Sequence, residues 1–412
     1  MNPEYEAGIR ARFSRLERAE GTIKNSPEDF RVEEIPGEIT RDDNGKYLII
    51  RVRLNDRDTS SFVTSLARVL QISRKRVSFS GTKDKKAVTE QYFCINAPVN
   101  GIPYLGPGIE IMETFRSNTL LRLGYLRGNR FLIRVGSAGT INDRVSEIAS
   151  FIIQNGGFPN FYGIQRFGSV RPITHRVGRY ILQGRMDDAV MEYLYDPEFD
   201  SEDYRKAFFE TRDVKAALRD FPNGLRFERS ILGRIEETGK LSEGLSRVPI
   251  ELGKMFVHAY QSRVFNILLS RRIGNSTRMD DVFPGDVCYS VDEFFNPERE
   301  PVKAEPFNME KIKALSMDSK LRPTLPVPGY DTVFATPEEE AEVMEILSAD
   351  DLTLRSFRVP HHPELSSRGE RRIVSSIPAG FSLPEKNVME FALGRGTYAT
   401  SFIREMISEY SD

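Results

Sequence analysis

The chain has 412 residues, 39% of them hydrophobic and 29% charged, with a net charge of −2; this composition fits a soluble globular protein and excludes a disordered one. The length exceeds one ordinary core and suits two domains, or one domain carrying a large insertion. No apolar run approaches the ~18–20 residues that span a bilayer, the N-terminal MNPEYEAGIRARFSRLERAE has charges where a signal peptide needs its apolar stretch, and two cysteines, Cys94 and Cys288, are too few for a disulfide framework. A cytoplasmic protein with two buried free thiols and no membrane attachment is expected.

In chain order, Asp29–Ile35 and Lys46–Leu54 are predicted strands, the second opened by the Asn44-Gly45 turn. Asp58 or Thr59 caps a predicted helix whose apolar positions Phe62, Leu66, Val69 and Leu70 follow the 3.6 period. Short strands are predicted at Arg76–Phe79, Glu90–Asn96, Ile109–Glu113, Leu120–Leu126 and Arg130–Val135. Asn142 then opens a helix with Val145, Ile148 and Ile152 on one face, stopped by Gly156-Gly157. Strands joined by short turns predict an α+β fold, a mixed and mainly antiparallel sheet with helices on one face.

From about Gly168 to Arg371 helical texture dominates, notably Met255–Arg272 and Pro337–Leu347, the latter started by the capping box Thr336-Pro337-Glu338-Glu339. Prolines punctuate the intervening region at Phe283-Pro284-Gly285-Asp286 and 323–329. Strand texture returns at Ile373–Ile377 and Asn387–Leu393, before a last helix from about Thr400 to Glu409. The expected organisation is one domain from residues 1–168 and 371–412, interrupted by an insertion at 169–370.

Charge is segregated along the chain. Six basic residues and one acid, Asp84, lie between Ser73 and Lys86; five arginines and no acid lie in each of 116–135 and 157–186; eight acids and no base follow in 187–203. Three basic runs beside one candidate catalytic acid suggest a cationic face that neutralises phosphates, with the acidic run on the far side.

Asp84 stands in Ser80-Gly81-Thr82-Lys83-Asp84-Lys85-Lys86, where flanking lysines favour the ionised carboxylate that a nucleophile or general base must be. This segment resembles the motif around the catalytic aspartate of the TruD family of pseudouridine synthases. Four further elements resemble that family in its order: Lys24-Asn25-Ser26-Pro27-Glu28-Asp29-Phe30; Leu121-Arg122-Leu123-Gly124-Tyr125-Leu126-Arg127-Gly128-Asn129-Arg130-Phe131, read as a strand pair; Pro159-Asn160-Phe161-Tyr162-Gly163-Ile164-Gln165-Arg166-Phe167-Gly168; and Gly396-Thr397-Tyr398-Ala399-Thr400-Ser401 with Arg404-Glu405. The middle, from about Met186 to Gly369, matches only loosely.

The resemblance implies a pseudouridine synthase fold with an inserted TRUD domain, tRNA as partner, uridine 13 as target and no cofactor. Asp84 would attack the ribose C1′ or abstract the 2′ proton, and Lys24 would hold its carboxylate ionised. Phe30, Tyr162 and Tyr398 match positions whose rings line the pocket for a flipped uracil, the family usually having Phe at the latter two. Asn160 suits the Watson–Crick edge of uracil or the orientation of Asp84. Lys83, Lys85, Arg122, Arg127 and Arg166, with Arg130, are candidates to grip the RNA backbone; Arg166 and Gln165 serve equally well as ties between the 159–168 turn and the sheet. No metal is expected, since His361-His362-Pro363 lacks ligand spacing. A methyltransferase would need a Gly-rich turn after a parallel strand and a deaminase H-x-E with P-C-x-x-C, and the sequence has neither. The remaining alternative is an idle RNA-binding or RNA-chaperone protein on the same fold.

Overall fold

The computed structural model describes residues 2–99 and 101–408. Contacts divide the chain into two compact units, one of Phe13–Phe158, Ser290–Glu300 and Ser375–Asp412, the other of Met1–Arg12, Pro159–Tyr289 and Pro301–Val374. Among the described residues no helix is long and apolar enough to cross a membrane.

The first unit is built on an eight-stranded sheet. Its strands are β1 (Phe30–Ile35), β2 (Tyr47–Asn55), β3 (Val77–Phe79), β4 (Val88–Ile95), β5 (Ile109–Ser117), β6 (Gly128–Arg134) and the hairpin Ala379–Glu385/Val388–Gly394. Across the sheet the hairpin is followed by β6, β1, β4, β2 and β5, every pair antiparallel except β1 with β4. β3 and β1 share one edge of β4: Val77 lies opposite Ile95 and Phe79 opposite Phe93, whereas Arg31 lies opposite Val88 and Glu33 opposite Glu90. The sheet is therefore split along β4 at Gln91 and Tyr92, and residues 80–87 leave it there.

Alternation along each strand decides what is buried. Phe30, Val32 and Glu34 of β1 share the inward face, and Phe30 and Val32 join Phe131, Ile133 and the helix Asn142–Gln154 in one core. Val32 pairs with Thr89, so this face continues through Gln91 and Phe93 to the helix Thr59–Val69, whose Phe62 ring packs tilted against Phe93. Both helices thus cover one face, as expected. Asp58 caps the first by accepting the Ser61 N–H at 2.8 Å. Val69, expected in its apolar stripe, is instead 46% exposed. The second ends at Gly156-Gly157; Gly157 has φ +103° and a Cβ there would lie 2.4 Å from the Ser376 carbonyl.

The strand expected at Leu120–Leu126 does not form. Gly124 takes φ +83° and reverses the chain, while Leu121 and Leu126 turn inward as anchors. Only the second half of the expected strand pair, β6, is a strand.

The second unit centres on the helix Ile250–Asn275, buried around most of its circumference. The helix Thr174–Leu182 packs so closely on it that a Cβ on Gly178 would meet the Phe256 carbonyl at 2.0 Å. The capped helix appears as Pro337–Ser348, with Thr336 Oγ1 accepting the Glu339 N–H and Glu339 accepting from Ala335. A four-stranded sheet runs Glu370–Ile373, Leu321–Val327, Val287–Ser290, Val302–Lys303. Leu321–Val327 holds Pro323 and Pro326 yet is an interior, wholly buried strand, where proline-bearing sequence reads as a break.

These boundaries differ from the expected division. The chain passes between units at 158/159 and 374/375 rather than near 168 and 371, residues 1–12 belong with the helical unit, and 290–300 return to the sheet unit. Side chains explain three of these shifts. Asn266 bonds Tyr162 and Ala7 and so holds both segments to the long helix; Asn296 and Glu293 bond Arg127 beside the sheet.

Candidate active site

The 80–87 loop is fixed at its base by buried polar groups. Gln91 donates from Nε2 to the Gly81 carbonyl at 3.2 Å and accepts the Thr59 hydroxyl at 2.9 Å, and Thr59 Oγ1 accepts the Lys83 N–H at 3.0 Å. Gly124 donates to the Ser80 carbonyl at 2.8 Å, tying the 121–127 turn to the same loop. What emerges from this frame is Asp84, whose side chain is 47% exposed.

Lys24 Nζ lies 3.1 Å from Asp84 Oδ2, and the lysine side chain is only 6% exposed. Its ammonium sits 4.6 Å above the Phe30 ring, an arrangement in which the π face supports a cation. Lys24 itself has φ +58°, a left-handed conformation that costs a non-glycine residue about 1–2 kcal/mol. The backbone on either side holds it there: Thr22 exchanges hydrogen bonds with Gly136, and Asp29 Oδ2 accepts the Ser26 N–H and hydroxyl at the start of the turn into β1. Strain at a charged residue aimed at a lone carboxylate is characteristic of functional sites. Phe30, expected to offer its face to a base, is buried against Phe131 and carries Lys24 on that face.

Lys83 is a correction. It was expected to contact phosphate, but its side chain is 4% exposed and its Nζ pairs at 3.1 Å with Glu34 Oε2, which is fully buried. Glu34 falls on the inward face of β1, where burial pushes its carboxyl above the ordinary value and Lys83 opposes the rise. Alternate residues of the extended loop point apart, so Lys83 turns into the core while Asp84 turns out. Glu34 was missed by the sequence reading; its place in register with Phe30 and Val32 was the available signal.

In the helical unit, Asn160 is 1% exposed. Its N–H bonds the Val374 carbonyl, its Nδ2 the Ile373 carbonyl, and its Oδ1 accepts from Arg372 Nη2 at 2.6 Å. The amide expected to read a uracil edge or orient Asp84 is thus engaged at both ends with 372–374. Arg372, unremarked in the sequence, connects this asparagine to Tyr162, lying 4.1 Å over its ring. Tyr162 meets Phe265 edge-on, and its hydroxyl approaches Glu370 Oε1 at 3.5 Å. With Arg166, His258 and Arg368 it lines a cavity of about 270 Å³. Arg166 Nε donates to Ser262 at 3.4 Å, a tie to the long helix. His258 is pushed down to about 4 by burial and by Arg166 and Lys254, so it stands neutral at physiological pH. Tyr398 precedes the helix Ala399–Met406 in the sheet unit and is half-buried.

The charge runs resolve differently from expectation. Acids of 187–203 neutralise the basic run before them: Arg171 pairs with Asp200, Arg176 with Glu192 and Asp196, and Arg185 with Asp188. Arg179 pairs with Asp350. Segregated signs in sequence became partners in space instead of opposite faces. Of the other RNA-backbone candidates, Arg127 pairs with Glu293 and stacks on Phe294, and Arg130 lies 3.8 Å from Glu390. Lys85 and Arg122 are exposed. Cys94 and Cys288 are buried free thiols, as expected, with burial pushing Cys288 up to about 12. Among the described residues no group of three or more His, Cys, Asp or Glu is placed to hold a metal.

The α+β fold, a mixed and mainly antiparallel sheet with helices, is that of a pseudouridine synthase, and the relatives of the chain agree. The structure superposes with a TM-score of 0.77 on the crystal structure of a Methanosarcina mazei protein described as "Putative tRNA pseudouridine synthase D (TruD)", 31% identical, covering 99% of this chain and 98% of that one. A Picrophilus torridus protein described as a "Probable tRNA pseudouridine synthase D" is 45% identical over 404 residues, 98% of this chain and 97% of its own. One of the same description from Thermoplasma acidophilum is 45% identical over 383 residues, 92% of each. The family model for tRNA pseudouridine synthase D (TruD) matches residues 6–406, and the chain belongs to that family. It is an isomerase.

Proposed function

We propose that the chain converts uridine 13 of tRNA to pseudouridine, with Asp84 acting on the ribose of a flipped-out uridine. The bond from C1′ to N1 breaks, the base turns, and C5 bonds to C1′ while the C5 proton leaves and N1 gains one. The sequence of steps is redox-neutral and needs no cofactor. Asp84 supplies either the nucleophile for C1′ or the base for the 2′ proton. The observation that carries this reading is the pair at 3.1 Å between a nearly buried, backbone-strained Lys24 and a half-exposed Asp84: the lysine holds the carboxylate in place without enclosing it. The test is incubation with a uracil-labelled tRNA transcript in the presence of a chelator, followed by mapping of pseudouridine. A single product at position 13 is expected. Product only elsewhere, or none until a cofactor is added, would overturn the proposal.

A further inference from the structure

The 121–127 turn is the least expected feature beside the Asp84 loop. Its outer residue, Leu123, is 74% exposed, although Leu121 and Leu126 on either side are buried. A side chain of this kind at the end of a loose loop would mean little, but this turn is rigid. Gly124 donates to Ser80, four residues before Asp84, Tyr125 N–H bonds the Arg122 carbonyl at 3.0 Å, and Arg395 Nη1 donates to the Gly124 carbonyl at 2.8 Å. The Tyr125 hydroxyl reaches the Glu38 carbonyl at 2.7 Å. An apolar side chain is thus held in water, flanked by the exposed Arg122, on a frame shared with the catalytic carboxylate.

We infer that Leu123 is a wedge: it enters the base stack of tRNA at the position vacated by the target uridine and holds that nucleotide out. Base-flipping enzymes must unstack their target, which is unfavourable unless the nucleotide is already unpaired, and apolar side chains inserted between base steps are a recurrent means of separating them. Arg122 contacts phosphate at the same place. The partner is the stacked, paired RNA around the target. A membrane or protein surface is not favoured, because the apolar feature is Leu123 with the less exposed Tyr125, beside the exposed Arg122, and not an extended patch.

This inference rests on Asp84 being the catalytic carboxylate, so the flipping step is read separately from chemistry. In an Asp84→Asn background, a transcript carrying 2-aminopurine beside the target should brighten on binding, and Leu123→Ala should lose most of that signal at unchanged saturation. With Asp84 intact, Leu123→Ala should lower single-turnover kcat roughly ten- to a hundredfold on a transcript whose target is paired. Changing the opposite base to leave the target unpaired should restore the variant to within about threefold of the parent enzyme. Leu123→Met should behave as the parent. Equal loss on paired and unpaired targets would mean a structural role, and no loss on either would mean that Leu123 does not enter the stack; both overturn the wedge. If the fluorescence arm behaves as expected but neither transcript is modified by the parent enzyme, the assignment of Asp84 fails and the wedge stands.

Discussion

Two lysine–carboxylate pairs flank the same loop at the same distance, and they differ in almost everything else. Lys83–Glu34 and Lys24–Asp84 are both 3.1 Å apart. Glu34 is fully buried, whereas Asp84 keeps 47% of its side chain in solvent. The buried carboxyl is raised by desolvation, and its lysine opposes that rise in the core. The exposed one keeps its water, so it does not need its lysine in order to be tolerated there. The comparison teaches that the loop has a fixed end in the core and an open end, the working end of the proposed reaction, and that a run of lysines about one acid does not distinguish them.

The largest expected effect breaks the fixed end. Lys83→Met leaves Glu34 without its cation and should cost about 3–5 kcal/mol near pH 8, read as a fall in the denaturation midpoint. The sign with pH follows from the raised carboxyl. Such a group contributes most to folding when protonated, and that contribution fades as pH climbs through its folded value. Removing Lys83 raises it further, so the deficit should shrink on going from about pH 8 to about pH 5. A deficit that grows on acidification would mean that Glu34 stays ionised without Lys83.

At the working end the same change should act on rate. Lys24→Met should leave stability within about 1 kcal/mol, because Asp84 keeps its water, and lower kcat/KM about a hundredfold through a misplaced carboxylate. Unfolding on the scale of Lys83→Met would erase the distinction between the pairs. Smallest is the exposed flank: Lys85→Ala should weaken tRNA binding a few-fold and reduce the slope of log K against log salt by about 0.9, the release of one phosphate counterion. An unchanged slope would place Lys85 away from the RNA.

Much of this was legible in the sequence because local rules and tertiary context agreed. β1, β2, β4 and β6 and the helices at 59–69 and 142–154 lie where alternation, capping and glycine stops put them. The acid at 84 lies 3.1 Å from Lys24, the lysine that the family resemblance put near it. What could not be read depends on contacts distant in sequence. Lys83 is turned inward by Glu34, 49 positions away, and Asn160 is bound by Arg372, 212 positions away. The Leu120–Leu126 segment has strand-like residues, but Gly124 bends it to meet Ser80. Proline is a poor witness against a strand where the chain is fully enclosed, as in Leu321–Val327.

The central claim is that only the exposed carboxylate of the two does chemistry. It is tested most directly by single-turnover pseudouridine formation with Asp84→Asn and Glu34→Gln side by side on one tRNA transcript. Asp84→Asn should bind tRNA within about tenfold of the parent and form no product, since it loses a transition-state interaction. Glu34→Gln, once shown to be folded, should keep its rate within about tenfold, because only the loop's anchorage is altered. Turnover by pure Asp84→Asn, or loss of chemistry in folded Glu34→Gln, would contradict the account.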